Sequence, residues 1–418
     1  MASMGILKTE VDPVEVGFDP GRLEVLDRHF RRYVDDGLLP GWLIAVSRHG
    51  QLAHVSTYGQ RDVEAGLPVE TDTIWRIYSM TKPITAVTAL VAYEQGLFEL
   101  SDPVRWYIPS FKQTKVWRSG STTAPVLEPI TETLRVWHLF AHTAGLTYGF
   151  IQNHPVDALY RQAGFEWGVP KDATDLAAIC DRLAELPLVF QPGTEWQYSM
   201  GLDVLGRVVE IVTGVPFDEF MQAHVLDPLG MNDTVWHVDE DRVDRLAALY
   251  APTPGTKKAF RYDVMGAAAT KPPVAPMGGG GLCSTASDYV RFAEMLRRRG
   301  ELDGMRILAP KTVELMASNH LPGNVDLSAV GRPLFAETTF DGVGFGLGVS
   351  VTIDPVKAKV PGSVGDFGWG GAASTSHWVD PVRDMTVVFM TQLLPSSTHP
   401  VRSQLKQMVH SALVDPGR

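Results

Sequence analysis

Strand-like patterning sits at the two ends of this chain and is scarce between them. Near the N-terminus, WLIAVSRHGQLAHVSTYG alternates in polarity and breaks at His49-Gly50, predicting a hairpin of Trp42–Val46 against Leu52–Tyr58. TIWRIYS predicts a short third strand leading directly into Ser79. After Gly281 the pattern returns in FGLGVSVTI, GDFGWGG, STSHWVD and DMTVVFMTQ. Residues 101–276 are instead punctuated by Pro, Gly, Asp and Thr, with TDLAAICDRLAEL and SMGLDVLGRVVEIVTG as the clearest helices. Leu23, Leu26, Phe30 and Val34 share one helical face between an Asp19-Pro20 start and a Gly37 stop, and SSTHPVRSQLKQMVHSALV ends the chain as a helix. The expected fold is therefore α/β plus all-α. Residues 1–100 and 277–418 form one discontinuous α/β part, an antiparallel sheet flanked by terminal helices. Residues 101–276 form an inserted, mainly helical part, with a cleft between the two.

Composition narrows the function. With 44% hydrophobic and 20% charged residues over 418 positions, the chain reads as globular. A net charge of −11 argues against a nucleic-acid partner. The two cysteines, Cys180 and Cys283, supply neither a disulfide framework nor metal-ligand spacing. No apolar run reaches the ~18–20 residues of a membrane span. The N-terminus lacks a basic segment followed by an apolar one. No membrane association and a cytoplasmic location are the expectations.

Ser79 and Lys82 stand three positions apart, at the junction of a predicted strand and the helix that ends near Gly96. A serine hydroxyl needs a neighbouring base to become a nucleophile, and positions i and i+3 share a helix face. Pro83 suits a first helical turn, where an N–H is dispensable. The spacing alone is a common chance pair, and Ser403-Gln404-Leu405-Lys406 repeats it inside the C-terminal helix, where a solvated helix face is expected.

Two further elements add to Ser79. Tyr198, in GTEWQYSMGLDVLG, precedes an apolar helix and is placed to share the proton of Ser79 if a cation such as Lys82 stands beside it. In GDFGWGGAASTSHWVD, the glycines of Trp369-Gly370-Gly371-Ala372 let a substrate approach the backbone, and Ala372 N–H is a candidate oxyanion donor. Each element also has a plain structural reading, as a core-edge tyrosine or a β-bulge.

The order Ser-x-x-Lys, Tyr, Trp-Gly-Gly resembles the serine β-lactamase and penicillin-binding-protein superfamily, and within it the class C β-lactamase-like esterases known as family VIII carboxylesterases. LFAHTAGL, DPLGMNDT and GGGGLCSTASDYVRF are similar to segments of the same family. The resemblance implies Ser79 as acyl-accepting nucleophile, Lys82 and Tyr198 as general base and proton relay, and the N–H groups of Ser79 and Ala372 as oxyanion hole. It implies a small-molecule ester substrate and no metal or organic cofactor. Trp369 stands where the β-lactamases and peptidases carry the lysine of Lys-Thr-Gly, which argues for neutral esters over anionic drugs. Met200 stands where their Tyr-x-Asn carries the amide. β-Lactam or D-aminoacyl-peptide hydrolysis and acyl transfer to an alcohol remain the alternatives, with a non-catalytic binding protein as the rival from another class.

Tyr148, Phe150, Trp369, Gly370, Gly371 and His377 are the candidate substrate-binding residues. His142 is read as structural. The pair His138 and His142 has metal-ligand spacing, but Leu139 stands where a zinc-protease helix carries Glu. Gly278–Gly281 has no following Lys-Ser/Thr and reads as close backbone packing beside the cleft, and no Gly-x-Ser-x-Gly occurs.

Overall fold

The computed structural model describes residues 7–166, 168–332 and 338–414, so the outermost residues of the expected α/β part lie outside the described residues. An eight-stranded antiparallel sheet joins the two ends of the chain. The N-terminal end supplies β1 (Gly41–Arg48), β2 (Gln51–Asp62) and β3 (Leu67–Pro68). The C-terminal end supplies β4 (Val343–Phe345), β5 (Ser350–Thr352), β6 (Phe367–Gly370), β7 (Ser376–Asp380) and β8 (Met385–Thr391). Across the sheet the order is β4-β5-β6-β7-β8-β1-β2-β3. The ends meet where β8 pairs with β1, Trp42 opposite Thr391 and Ile44 opposite Phe389. The predicted hairpin forms, with Trp42 opposite Tyr58 and an irregularity between Val46 and Ser47.

Five helices matter for the site: α1 (Pro20–Asp35), α2 (Thr81–Glu94), α3 (Gly201–Thr213), α4 (Ala286–Arg297) and α5 (Val401–Ala412). Successive strand residues point to opposite faces, and here both faces are covered. Trp42, Ile44, Val46, Val387 and Phe389 pack with Leu23, Leu26 and Phe30 of α1 and Val401, Leu405 and Val409 of α5. Leu43, Ala45, Val388 and Met390 face the other way, into a core shared with α2, α3 and α4. Helix α1 starts as expected, the Asp19 carboxylate accepting from the N–H groups of Gly21 and Arg22. Gly37 follows its end at φ +72°, a value that favours glycine.

Three details go beyond what local pattern shows. The strand Ile74–Arg76 does not join the main sheet but pairs with Cys283–Thr285. There the side chain of Gln392, just past β8, brackets the Arg76 peptide: its Oε1 accepts from Arg76 N at 3.3 Å and its Nε2 donates to Arg76 O at 3.1 Å. FGLGVSVTI is not one strand; it folds back on itself between β4 and β5, where Gly346 N donates to Val349 O and Gly348 adopts φ +81°. Residues 101–276 also contain a hairpin, Lys115–Ser121 against Ala124–Pro129, and a short ladder, Tyr250–Pro252 against Ala259–Arg261. Both are largely exposed, so neither carries the apolar alternation that marks a buried strand. Among the described residues, no helix is long and apolar enough to cross a membrane.

Phe30 touches Trp42 and Phe389 with ring centroids 6.0 and 5.3 Å away, linking α1 to both strands of the joint between the chain ends. Phe30→Ala should lower unfolding free energy by about 3–5 kcal/mol in urea titration. A loss below about 1 kcal/mol would show that the joint does not depend on this packing.

Candidate active site

Ser79 does not open α2. It lies in a single 3-10 turn, Tyr78–Met80, between the strand Ile74–Arg76 and the helix. Tyr78 takes φ +43°, a left-handed conformation that costs an L-residue roughly 1–2 kcal/mol. Bonds on either side hold the turn. Ile77 N donates to Leu282 O at 3.1 Å, Tyr289 Oη to Met80 O at 2.8 Å, and Leu282 N to Thr81 Oγ1 at 3.1 Å.

Helix α2 is enclosed on every side, from Thr81 through Ala92. The apolar set Ile84, Val87, Leu90 and Val91 marks only one of its buried faces. Lys82 therefore enters the interior and is 1% exposed, as is Tyr198, while Ser79 is 8% exposed. Tyr198 Oη donates to Ser79 Oγ at 2.6 Å. Lys82 Nζ lies 3.3 Å from the same Oγ and donates to Gly279 O. It also lies over the Tyr198 ring, 4.5 Å from the centroid, and 5.3 Å from that of Tyr148. The sequence-derived trio thus meets at one hydroxyl, drawn from two elements 119 residues apart.

The chain also places groups that sequence reasoning missed. Asp203, on the first turn of α3, is 2% exposed and accepts from Gly279 N at 2.7 Å. The peptide unit before Gly279 thus gives its N–H to Asp203 while the Gly279 carbonyl takes Lys82. Burial pushes the Asp203 carboxyl up to about 6, against the opposing pull of Lys82 and the Gly279 N–H. The available signal was an acid in the first turn of an otherwise apolar helix start, GLDVLG. The four glycines at 278–281 are explained individually. A Cβ would fall 2.7 Å from Leu202 O at Gly278, 2.6 Å from Asp203 Oδ2 at Gly279, and 2.7 Å from the Trp236 ring at Gly281. Only Gly280 has room, its nearest neighbour being 3.7 Å away.

Trp369, on β6, is more than a pocket wall. Its Nε1 donates to Tyr198 Oη at 3.4 Å, and its ring packs on that of Tyr198 at 5.6 Å. Gly370 and Gly371 need revision, because protein atoms occupy the space their missing side chains leave. A Cβ on Gly370 would lie against the Arg402 guanidinium, and one on Gly371 would stand 2.3 Å from Ile77 O. That second approach lays the end of β6 on the turn that bears Ser79, and Ala372 follows there.

His377 is a correction as well. It sits opposite Trp369 in register, but its ring lies beneath the strand, between Trp369 O at 3.1 Å and the Tyr289 ring at 4.8 Å. Burial lowers it to about 3. Tyr148 is partly exposed, yet its hydroxyl reaches inward to Gly279, and Phe150 stacks on its ring at 4.8 Å toward the surface. His142 faces Ser199 Oγ through Nδ1 at 3.0 Å and packs on Tyr198, and burial followed by the charge of Lys82 holds it well below its usual range. His138 Nδ1 instead accepts the Arg135 N–H at 3.0 Å, so the two histidines serve separate local bonds. The other Ser-x-x-Lys diverges: Ser403 Oγ bonds Pro400 O, while Lys406 pairs with Asp366 at 2.8 Å. A recess of about 490 Å³ lined by Val356, Arg383, His410 and Leu413 shares no residue with the Ser79 site.

Comparison with known proteins supplies the family. The profile of the family described as Beta-lactamase matches residues 26–408. The chain belongs to the beta-lactamase family. Within it, the chain is 36% identical to protein Rv1367c of Mycobacterium tuberculosis, over 87% of this chain and 88% of the relative. It is 32% identical to Esterase EstB of Burkholderia gladioli, over 91% and 93%. Among solved structures, EstCE1, titled a hydrolase with promiscuous acyltransferase activity, aligns with a TM-score of 0.76 at 27% identity, covering 95% of this chain and 98% of that one. The β6 position that the sequence resemblance pairs with the lysine of Lys-Thr-Gly holds a neutral indole bonded to Tyr198.

Two predictions follow from the Gly279 peptide. Gly279→Ala should disrupt the Lys82 and Asp203 bonds and lower the melting temperature by several degrees, while Gly280→Ala stays within about 1–2 °C of the parent by thermal melting; equal effects would refute the crowding. For Asp203, a carboxyl raised from 3.8 to about 6 binds more protons folded than unfolded, so stability falls as pH rises between those values. Asp203→Asn should flatten that fall by up to about 1.4 kcal/mol per pH unit in urea titrations at pH 4–6. Asp288, also raised to about 6 by burial, keeps its own share. An unchanged slope would mean that Asp203 is ionised throughout the window.

Proposed function

We propose that the protein is a carboxylesterase that cleaves neutral, small-molecule esters of short to medium acyl chain through an acyl-enzyme on Ser79. The observation that carries this reading is the single, slightly exposed hydroxyl approached by Tyr198 Oη at 2.6 Å and by the buried Lys82 Nζ at 3.3 Å. A serine with two titratable neighbours and, among the described residues, no carboxylate on its oxygen suits acyl transfer, and similarity to Esterase EstB favours esters. Trp369 in place of a cation removes the group that would attract an anionic β-lactam or peptide.

The reaction starts with the Lys82–Tyr198 pair one proton short of full protonation, and the two hold that proton as a unit. Ser79 Oγ bonds to the ester carbonyl carbon and its proton passes to the pair. The carbonyl oxygen becomes an oxyanion, received by the N–H groups of Ser79 and Ala372. Collapse breaks the bond to the alkoxide, which takes the proton from the pair and leaves as alcohol. Water then attacks the acyl-enzyme, giving a proton to the same pair. Collapse releases the acid as Ser79 Oγ recovers its proton. Trp369 Nε1 steadies the Tyr198 oxygen whenever it is negative. In this reading residues 1–100 and 277–418 form one unit and 101–276 the other wall of the cleft. Cys180 and Cys283, both free and buried, suit a reducing, cytoplasmic setting.

A second reading, acyl transfer to an alcohol, is favoured by the similarity to EstCE1 and shares every step up to the acyl-enzyme. Adding an acceptor alcohol and analysing products separates ester formation from hydrolysis.

Turnover of p-nitrophenyl butyrate, followed by peptide mapping after a serine-directed phosphonate, tests the proposal. Ser79→Ala should lower kcat/KM by roughly 10⁴-fold or more and abolish the label, while Ser403→Ala behaves as the parent. A parent protein that neither turns over the ester nor takes the label would end the esterase reading.

A further inference from the structure

Helix α5 packs its apolar face on the side of the sheet away from Ser79, yet one residue of its first turn reaches the strand end beside the nucleophile. Arg402 Nη2 donates to Gly371 O at 2.6 Å and to Thr375 O at 2.8 Å. Gly371 N donates to Thr375 O at 3.0 Å, closing the turn between β6 and β7. The guanidinium thus ties together the two arms of the loop that carries Ala372. It lies directly on Gly370, where any side chain would displace it.

Which carbonyl it holds is the decisive point. Gly371 C=O and Ala372 N–H are the two ends of one peptide group. Amide conjugation couples those ends. A cation donating to the oxygen draws electron density toward it and strengthens the N–H as a donor. The reading of Ala372 N–H as an oxyanion donor is assumed here. We propose that Arg402 is a positioning residue for acyl transfer: from behind the sheet it fixes and polarises the Gly371–Ala372 peptide, so that the Ala372 N–H stabilises the oxyanion more strongly than an unassisted amide. The residue touches neither substrate nor Ser79 in this scheme. Its effect travels through one peptide bond.

An arginine that only fastened α5 to the sheet would make the same contacts, so the test needs a readout that fastening does not move. Sulfur is a weak hydrogen-bond acceptor, so a thionoester, with C=S in place of C=O, draws little from an oxyanion hole. kcat/KM is measured for phenyl butyrate and its thiono analogue on the parent, Arg402→Met and Arg402→Gln. Phosphonate labelling of Ser79 counts the competent sites in each. The parent should favour the oxo ester by roughly 10²-fold or more. Arg402→Met should lose about tenfold on the oxo ester and less than about twofold on the thionoester, a fraction of the effect of deleting a whole donor. The oxo/thiono ratio therefore shrinks. If Arg402→Met folds too poorly to label, the ratio is read on Arg402→Gln, which keeps a polar but uncharged side chain.

Equal losses on both substrates, or an unchanged ratio, overturn the proposal and leave Arg402 as a structural fastening. A parent that does not discriminate between the two esters overturns the oxyanion-hole reading, and the role of Arg402 with it. Turnover of the oxo ester with loss of the Ser79 label in Ser79→Ala would in that case still leave the esterase standing.

Discussion

The buried amine of Lys82 is the constraint on which the rest of the site depends. An amine enclosed in protein has given up its water and must find partners where they can be built. Here they are a backbone carbonyl, a serine hydroxyl and two aromatic faces. The carbonyl partner sits on a loop pressed against Asp203 and the Tyr148 hydroxyl, which is why Gly279 cannot carry a side chain. The loop in turn needs an acceptor for its own N–H, which Asp203 supplies. The nearer of the two tyrosine rings, that of Tyr198, is the one whose hydroxyl bonds Ser79, so enclosing the lysine and holding the serine hydroxyl are one arrangement.

That arrangement is held from outside by the joining of the chain ends. Pairing of β8 with β1 brings Gln392 to the Arg76 peptide, three residues before Ser79, and the turn after β6 to Ile77. The left-handed conformation of Tyr78 persists because bonds on both flanks specify it. Backbone strain is tolerated where the surroundings over-determine the conformation. The same geometry relates the site to the far side of the sheet, since α5 has a clear path to the β6–β7 turn only across glycine.

The positions at which the motifs depart from those of the β-lactamases lie around the same few atoms. Trp369, at the position the resemblance pairs with a lysine, is a neutral donor aimed at the Tyr198 hydroxyl. The Ser199 and Met200 positions are likewise turned to internal use, Ser199 bonding His142 and Met200 packing in the core.

The grouping of Ser79, Lys82 and Tyr198 came from the order of three motifs and the family resemblance that order carries; local pattern was enough for the helices α1, α2, α3 and α5 and the first hairpin. Each rests on periodicity, a cap or a spacing within a few residues. The two copies of Ser-x-x-Lys show where that information ends. As strings they are equivalent, and only the fold puts a tyrosine on one and an aspartate beside the lysine of the other. Asp203, the crowding at Gly278, Gly279 and Gly281, the hydrogen bond of Trp369 and the reach of Arg402 were decided by tertiary structure for the same reason. They are contacts between segments far apart in the chain, set by the close approach of backbones, and no periodicity within a segment records which distant atom will fill the space beside it.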